Sequence, residues 1–315
     1  MAEGGTFTFS DPDAYAAAFG DTRINLAITG SGDLKARLTR LRLKQLEVCC
    51  CSENLARIAY ISRPPERMFL SFPVGTVSLI VDGVALGNGD FVLHCCGQAL
   101  HQRSSGACQW GLIALSAGEL SSCAKALTGR EMPLPRVSRV LRPARPDAFR
   151  FQCLFGQACD LAESGNKLIE HPEVARVLEQ EMLHAAVDCL GANETDDNHK
   201  ARQHHVAIMN RFEKVLGERL DRKLGLPALC AEIGVPERTL RLCCAEFLGL
   251  SPTRYVLLRR LNKARSALRR ADPSKVTVAE VARNHQFLEL GRFAVTYRAT
   301  FGESPSTTLQ RDSHL

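Results

Sequence analysis

Apolar residues recur in two rhythms along this chain. Over about 1–135 they come as short runs: "ARIAYI", "MFLSFPV", "TVSLIVDGVAL", "DFVLHCC" and "WGLIAL". Turn residues separate several of them, as at "DG" (82–83) and "GNGD" (87–90). Ahead of them, "RLTRLRLKQLEV" (37–48) alternates loosely between Leu and Arg, Lys or Gln, and reads as strand. Several short strands with turn signals predict a small barrel or sandwich. Pro133, Pro135, Pro143 and Pro146 then read as a connector. Helices are predicted over about 147–164 and 173–190. In the second, Val174, Val177, Leu178, Met182, Ala185, Ala186 and Cys189 recur at three- and four-residue steps on one face. That face either packs on the first domain or forms a dimer seam. The polar stretch "GANETDDNHKARQ" (191–203) reads as a flexible linker.

From 204 onward the rhythm is helical, interrupted by short turns. "VAIMNRFEKVLGERL" sets Met209, Phe212, Val215 and Leu216 on one face. Two similar segments follow, "LPALCAEIGVPERTLRLCCAEFLGLSP" (226–252) and "VTVAEVARNHQFLELGRFAVTYRATFGESP" (276–305). Each predicts a short helix, a tight turn and a longer helix. In the first, Leu229, Cys230 and Ile233 face inward, "GVP" turns, and Leu240, Cys243, Cys244 and Phe247 form the next apolar face. In the second, Val278, Val281 and Ala282 face inward, "HQF" turns, and Phe293, Tyr297 and Phe301 follow. Two helices joined by a tight turn, the second bearing exposed Arg, describe a helix-turn-helix. Gly249 and Gly302 are expected to end each second helix as C-caps. Ser251 and Ser304 are expected to cap the next helix, with Pro at its first position.

The stretches "TLRLCCAEFLGLSPTRYVLLRRLNKARSAL" and "VAEVARNHQFLELGRFAVTYRATFGESPS" resemble the C-terminal DNA-binding domain of the arabinose-operon-regulator (AraC/XylS) family of bacterial transcription factors. The resemblance covers about 208–308. It implies two helix-turn-helix units joined by one long helix, and an effector-sensing, often cupin-like, N-terminal domain. The expected architecture is thus α+β. A β-rich, barrel-like regulatory domain spans 1–135, and a Pro-rich helical connector, which carries the candidate dimer seam, spans 136–200. The DNA-binding domain spans 201–315, with its units at about 226–250 and 277–302. Two positions depart from the family pattern. Gln286 stands where the second turn usually has Gly, which at a left-handed position costs on the order of 1 kcal/mol. Pro236-Glu237 stands where the first recognition helix usually opens with Ser before Pro.

Geometry agrees independently. The joining helix, about 253–270, would be about 27 Å long at 1.5 Å per residue, and successive major-groove faces lie about 34 Å apart. Base readers need exposure near the start of each recognition helix and groups that can bond base edges. Those residues are Arg238, Thr239 and Arg241 in the first unit, and Glu289, Arg292 and Thr296 in the second. Arg254, Lys275 and Arg298 are expected on phosphates. The cations of "RRLNKARSALRR", namely Arg259, Arg260, Lys263, Arg265, Arg269 and Arg270, either face phosphate or line a solvated surface. Arg259 and Arg265 are candidates for internal ion pairs.

Charge supports the same division. Residues 201–315 hold 20 Lys/Arg against 11 Asp/Glu, a surplus of +9, whereas 1–200 hold 20 against 23, or −3. Such a basic block suits a polyanion. The chain of 315 residues, 45% hydrophobic, has room for two domains. With neither a membrane-length apolar run nor a signal-peptide pattern, it is expected to be cytoplasmic. The 13 cysteines lack any Cys-x-x-Cys spacing and read mainly as small buried residues. The triplet Cys49–Cys51 and the stretch "HCCGQALH" leave a redox- or metal-responsive regulator open. No His-x-His pair, phosphate loop or Ser/His/Asp set is evident, so no cofactor, metal or catalysis is expected. A DNA-repair alkyl acceptor would need a zinc-held Cys that the spacing does not supply. The expected partners are double-stranded promoter DNA, RNA polymerase, a small-molecule effector and, at the seam above, a second copy, with no membrane.

Overall fold

The computed structural model describes residues 3–63, 67–75, 77–129, 137–164, 169, 171–191, 199–218 and 225–311. Its first half is β-rich. The strands are β1 (Glu3–Phe9), β2 (Arg23–Ile28), β3 (Ala36–Arg42), β4 (Leu46–Glu53), β5 (Arg57–Ser62) and β6 (Arg67–Pro73). They continue with β7 (Leu79–Val81), β8 (Val84–Leu86), β9 (Phe91–His94), β10 (Leu100–Ser104), β11 (Cys108–Ser116) and β12 (Arg139–Leu141). They form two antiparallel sheets, ordered β1-β3-β4-β11-β6-β9-β12 and β2-β5-β10-β7-β8. A short helix α1 (Pro12–Ala17) lies between β1 and β2.

Period-2 alternation gives the larger sheet two buried faces. Leu38, Cys49, Cys51 and Trp110 face the smaller sheet, where they meet Ala59, Ile61, Leu79 and Leu100. Val48, Leu70, Phe72 and Ile113 face the other way, beneath α2 (Ala117–Thr128), α3 (Arg145–Glu163) and α4 (Pro172–Leu190). The apolar face of α4 therefore packs inward: Leu178, Met182, Ala185, Ala186 and Cys189 are buried there, while Val177 is exposed.

Three sequence expectations change. The stretch 37–48 is not one strand but parts of β3 and β4 with a turn at 43–45. No Gly, Asn or Asp marks that turn; the buried Glu179 carboxylate of α4 holds it, accepting from the backbone N–H of Gln45 (2.6 Å) and Leu46 (3.1 Å). The stretch before residue 37 supplies two strands and a helix that no apolar run advertised. The expected linker 191–203 lies partly outside the described residues, as do Pro133 and Pro135, and helix α5 (His199–Glu218) already begins within it.

Among the described residues, six helices follow α5: α6 (Leu226–Ile233), α7 (Glu237–Leu248), α8 (Pro252–Arg270), α9 (Val278–Asn284), α10 (Leu290–Phe301) and α11 (Pro305–Arg311). They enclose two cores. One joins α5–α7 and the start of α8 to Ala27 and Ile58 of the smaller sheet; the other joins the rest of α8 to α9–α11.

Candidate nucleic-acid interface

Each half of the C-terminal region is a helix, a tight turn and a longer helix. In the first, Gly234 takes φ 76° and the Val235 N–H returns to the Cys230 carbonyl at 3.1 Å. In the second, Gln286 takes φ 64° and the Phe287 N–H returns to the Ala282 carbonyl at 2.9 Å. The two turns are the same device, an N–H reaching back five residues across a left-handed position. Gly suits that position, while Gln286 occupies it at a steric cost. Thr277 opens α9 with a capping box shared with Glu280. Pro236 opens α7 without a side-chain cap.

The exits follow the expected pattern. Gly249 and Gly302 close α7 and α10 at φ 68° and 79°. Ser251 Oγ accepts from the Arg254 N–H at 3.4 Å, and Ser304 Oγ from that of Thr307 at 3.1 Å. Pro252 and Pro305 begin α8 and α11. The predicted inward faces are also present: Leu229, Ile233, Leu240, Cys243, Cys244, Phe247, Phe293, Tyr297 and Phe301 are all buried. Val278 is only partly so.

The outward faces carry the candidate readers. On α7, Arg238 and Arg241 are exposed and Thr239 is half-buried. Arg241 pairs with Glu237 one turn earlier at 2.7 Å. On α10, Arg292 is exposed, and Glu289 sits exposed at the N-cap without a capping bond. Thr296 is half-buried and its hydroxyl donates to the Arg292 carbonyl at 2.8 Å. Arg254 lies in the first turn of α8 and Arg298 in the last turn of α10, both exposed. Lys275 pairs with Asp272 at 3.2 Å in the loop before α9. Among the described residues, Arg238, Arg254, Arg292 and Arg298 make no ion pair.

Sequence reading missed three side chains on these faces. Leu242 is 57% exposed on α7, Val295 72% on α10 and Leu288 81% just before it. Leu242 follows Arg238 by four residues and Val295 follows Arg292 by three, so each shares an outward stripe with an arginine. That spacing was the available signal.

The basic stripe of α8 is mostly not a free surface. Arg259 pairs with Glu213 of α5, and Arg265 with Glu303 at 2.7 Å, as anticipated. Arg260 donates to the carbonyls of His285 and Gln286 and lies over the Phe287 ring at 4.5 Å. Arg269 donates to the Ser10 carbonyl at 3.0 Å, and Arg270 pairs with Asp13. These contacts turn α8 toward the β-rich half, where Asn262 also accepts from the Ile28 N–H at 2.9 Å.

One buried network crosses between the halves. The Glu213 carboxylate accepts from Tyr255 Oη (2.6 Å), from His101 Nε2 on β10 (3.1 Å) and from Arg259. Burial alone would raise its pKa, but the Arg259 charge and these hydrogen bonds hold it below the ordinary range. His94 is instead buried on β9 against Ser71 Oγ at 2.6 Å, and burial pushes it well below the usual imidazole value. The two histidines thus belong to different sheets and share no site. Among the described residues, no cluster of three His, Cys, Asp or Glu could hold a metal ion, and no helix is long and apolar enough to cross a membrane.

Two tandem helix-turn-helix units share one connecting helix, α8. The helix-turn-helix domain family matches residues 229–311. The XylDLEGF operon transcriptional activator of Pseudomonas putida is 30% identical over 164 residues, covering 50% of this chain and 47% of that protein. A second, XylDLEGF operon transcriptional activator 2 of the same organism, is 36% identical over 101 residues, covering 31% and 64%. The chain thus spans about half of the first relative and under two thirds of the second. Among solved structures, the AraC-like transcriptional activator CuxR aligns over 83% of this chain and 95% of its own, at 18% identity and a TM-score of 0.44. The C-terminal region thus carries a helix-turn-helix domain over residues 229–311.

Proposed function

We propose that the chain is a sequence-specific transcriptional regulator that reads two adjacent major-groove segments of double-stranded DNA. The observation carrying this is the pair of matching turns that present Arg238 and Arg241 on α7 and Arg292 on α10, free of the buried contacts that occupy the arginines of α8. Arg238, Thr239, Arg241, Glu289, Arg292 and Thr296 are the base readers, and Arg254, Lys275 and Arg298 anchor phosphates. Residues 1–135 form the regulatory domain, 136–200 the connector, and 201–315 the DNA-binding domain. The regulatory domain senses a small-molecule effector, and its state reaches DNA through the His101–Glu213 contact. The relatives' names as operon activators support activation through RNA polymerase in the cytoplasm. A second copy would dock at the connector, where Phe149 and Val177 are exposed. The reading needs neither catalysis nor a cofactor.

The test is selection of bound fragments from genomic and random DNA with the full chain. A recurring two-part motif is expected, with affinity falling steeply as salt rises. Equal retention of all fragments would leave an architectural DNA-binding protein instead.

A further inference from the structure

Helix α3 crosses the outer face of the larger sheet strand by strand. A Cβ built on Gly111 of β11 would lie 2.8 Å from the Phe155 ring. A Cβ on Gly4 of β1 would lie 3.2 Å from the Ala162 Cα. On the intervening strand β3, Thr39 Oγ1 donates to Glu163 Oε1 at 2.9 Å, and Arg37 pairs with the same carboxylate. Between β11 and β3 runs β4, where Cys50 pairs with Gly111 on one side and Thr39 on the other. Between Phe155 and Ala162 on the helix lies Cys159, buried and facing the sheet. The crossing therefore sets Cys159 over Cys50, between the Phe155 ring above Gly111 and the close approach of Ala162 to Gly4.

The surroundings of this thiol pair are specific. The Cys159 thiol is within hydrogen-bonding reach of the Cys50 sulfur and, donating to it, holds the Cys50 thiol below its ordinary pKa; burial opposes this. The Gln109 amide donates to Cys50 Sγ at 3.6 Å and the Arg37 guanidinium adds its charge, while Glu163 acts the other way. The same bond and burial push Cys159 up, so it keeps its proton. Cys50 is half-buried rather than sealed. Its neighbours Cys49 and Cys51 point to the opposite face, into the core between the sheets. Burial raises Cys49 to about 11, and Cys108 and Cys189 to about 12.

We propose that Cys50 and Cys159 form a reversible oxidation site, with Cys50 the attacking sulfur, Cys159 the resolving one and a hydroperoxide the oxidant. With hydrogen peroxide, the Cys50 thiolate attacks one oxygen. An S–O bond forms, the O–O bond breaks, and the departing hydroxide takes a proton to leave as water. The Cys159 sulfur then attacks the sulfenic sulfur. The S–S bond forms, the S–O bond breaks, and a second water leaves with the Cys159 proton. Two thiols lose two electrons and one peroxide becomes two waters. The product staples α3 to β4. The site is independent of the DNA-binding reading.

The test treats the reduced full chain with one equivalent of hydrogen peroxide, blocks remaining thiols, digests it without reductant and maps linked peptides by mass spectrometry. The Cys50–Cys159 link should be about tenfold more abundant than any other pair, as thiolate control of reactivity requires, and dithiothreitol should remove it. Cys50→Ser should abolish it, while Cys49→Ser, Cys51→Ser and Cys153→Ser leave it intact, which separates neighbours within the same peptides. Cys159→Ser should strand Cys50 as a sulfenic acid that dimedone traps, a readout that does not depend on the Cys50→Ser variant folding. Recovery of Cys50 and Cys159 as free thiols while other cysteines oxidise would overturn the proposal. So would a link that survives Cys50→Ser.

Discussion

At the scale of single residues, what distinguishes a reader from an anchor is what its side chain can meet. Arg241 sits mid-stripe on α7, already oriented by Glu237 at 2.7 Å. A fork so placed can reach both acceptors of guanine. Arg241→Ala should cost about 1–3 kcal/mol on the preferred site and relax preference at one or two base pairs. Arg254, in the first turn of α8, should act on every sequence alike, and its removal should lower the salt slope by about one. Binding selection with randomised operator positions separates the two patterns; the reverse result would exchange their roles. The exposed Leu242 and Val295 supply a different test. An apolar side chain beside an arginine proposed to read bases suits the thymine methyl group. Replacing thymine by deoxyuridine across the selected site should weaken the full chain. Leu242→Ala should remove the part of that loss in the α7 half-site, and Val295→Ala the part in the α10 half-site. Equal sensitivity of both variants and the unaltered chain to deoxyuridine would place these side chains away from the bases.

At the scale of elements, the second turn is held by a neighbour. Gln286 sits at φ 64°, and Arg260 of α8 clamps that turn through the His285 and Gln286 carbonyls and the Phe287 ring. Gln286→Gly should therefore stabilise the chain by up to about 1 kcal/mol. Arg260→Ala should destabilise it by about 1–3 kcal/mol, because two part-buried carbonyls lose a charged donor. Denaturant titration measures both. The repeat itself was readable because its signals are local: caps, turns and apolar steps lie within a few residues of one another. The role of α8 was not. Arg259 and Arg265 stand out as candidates for internal ion pairs, but Arg269 and Arg270 look like their neighbours in sequence, and their partners Ser10 and Asp13 lie 259 and 257 residues away. The turn at 43–45 was hidden for the same reason, since the group that holds it is Glu179. Likewise, Cys50 among three adjacent cysteines is singled out only by which helix crosses above it.

At the scale of the whole molecule, the β-rich half holds the same end of both α7 and α10. Gly249, closing α7, lies against Arg103 of β10, and a Cβ on Gly83 in the β7–β8 turn would strike Glu246 of α7 at 2.7 Å. Gly302, closing α10, lies against Ser31, and the Gly32 N–H donates to the Phe301 carbonyl at 3.0 Å. The starts of both helices stay outward. The hold on α7 contains a titratable group. Asp82 precedes Gly83 in that turn, accepts from the His101 N–H at 2.8 Å, and is raised by burial to about 6. That hydrogen bond and the charges of His101, Arg202 and Arg63 pull the other way without cancelling burial. Because the folded value lies above the unfolded value of 3.8, the folded chain binds the proton more tightly. The associated stability is complete below about pH 3.8 and is lost as pH rises through about 6, a difference on the order of 3 kcal/mol at most. Glu213 works in the opposite direction. Its folded pKa is depressed, so its contribution is present above the ordinary Glu range and disappears as pH falls through its folded value. Between about pH 4 and 6 the Asp82 contribution should therefore decline. Asp82→Asn keeps an acceptor for the His101 N–H but cannot ionise. Its unfolding free energy should exceed that of the unaltered chain above pH 6, and the gap should close toward pH 4. Urea titrations across that range read the difference directly. A gap independent of pH would mean that Asp82 stays ionised in the fold and that the turn against α7 is held by its hydrogen bonds alone.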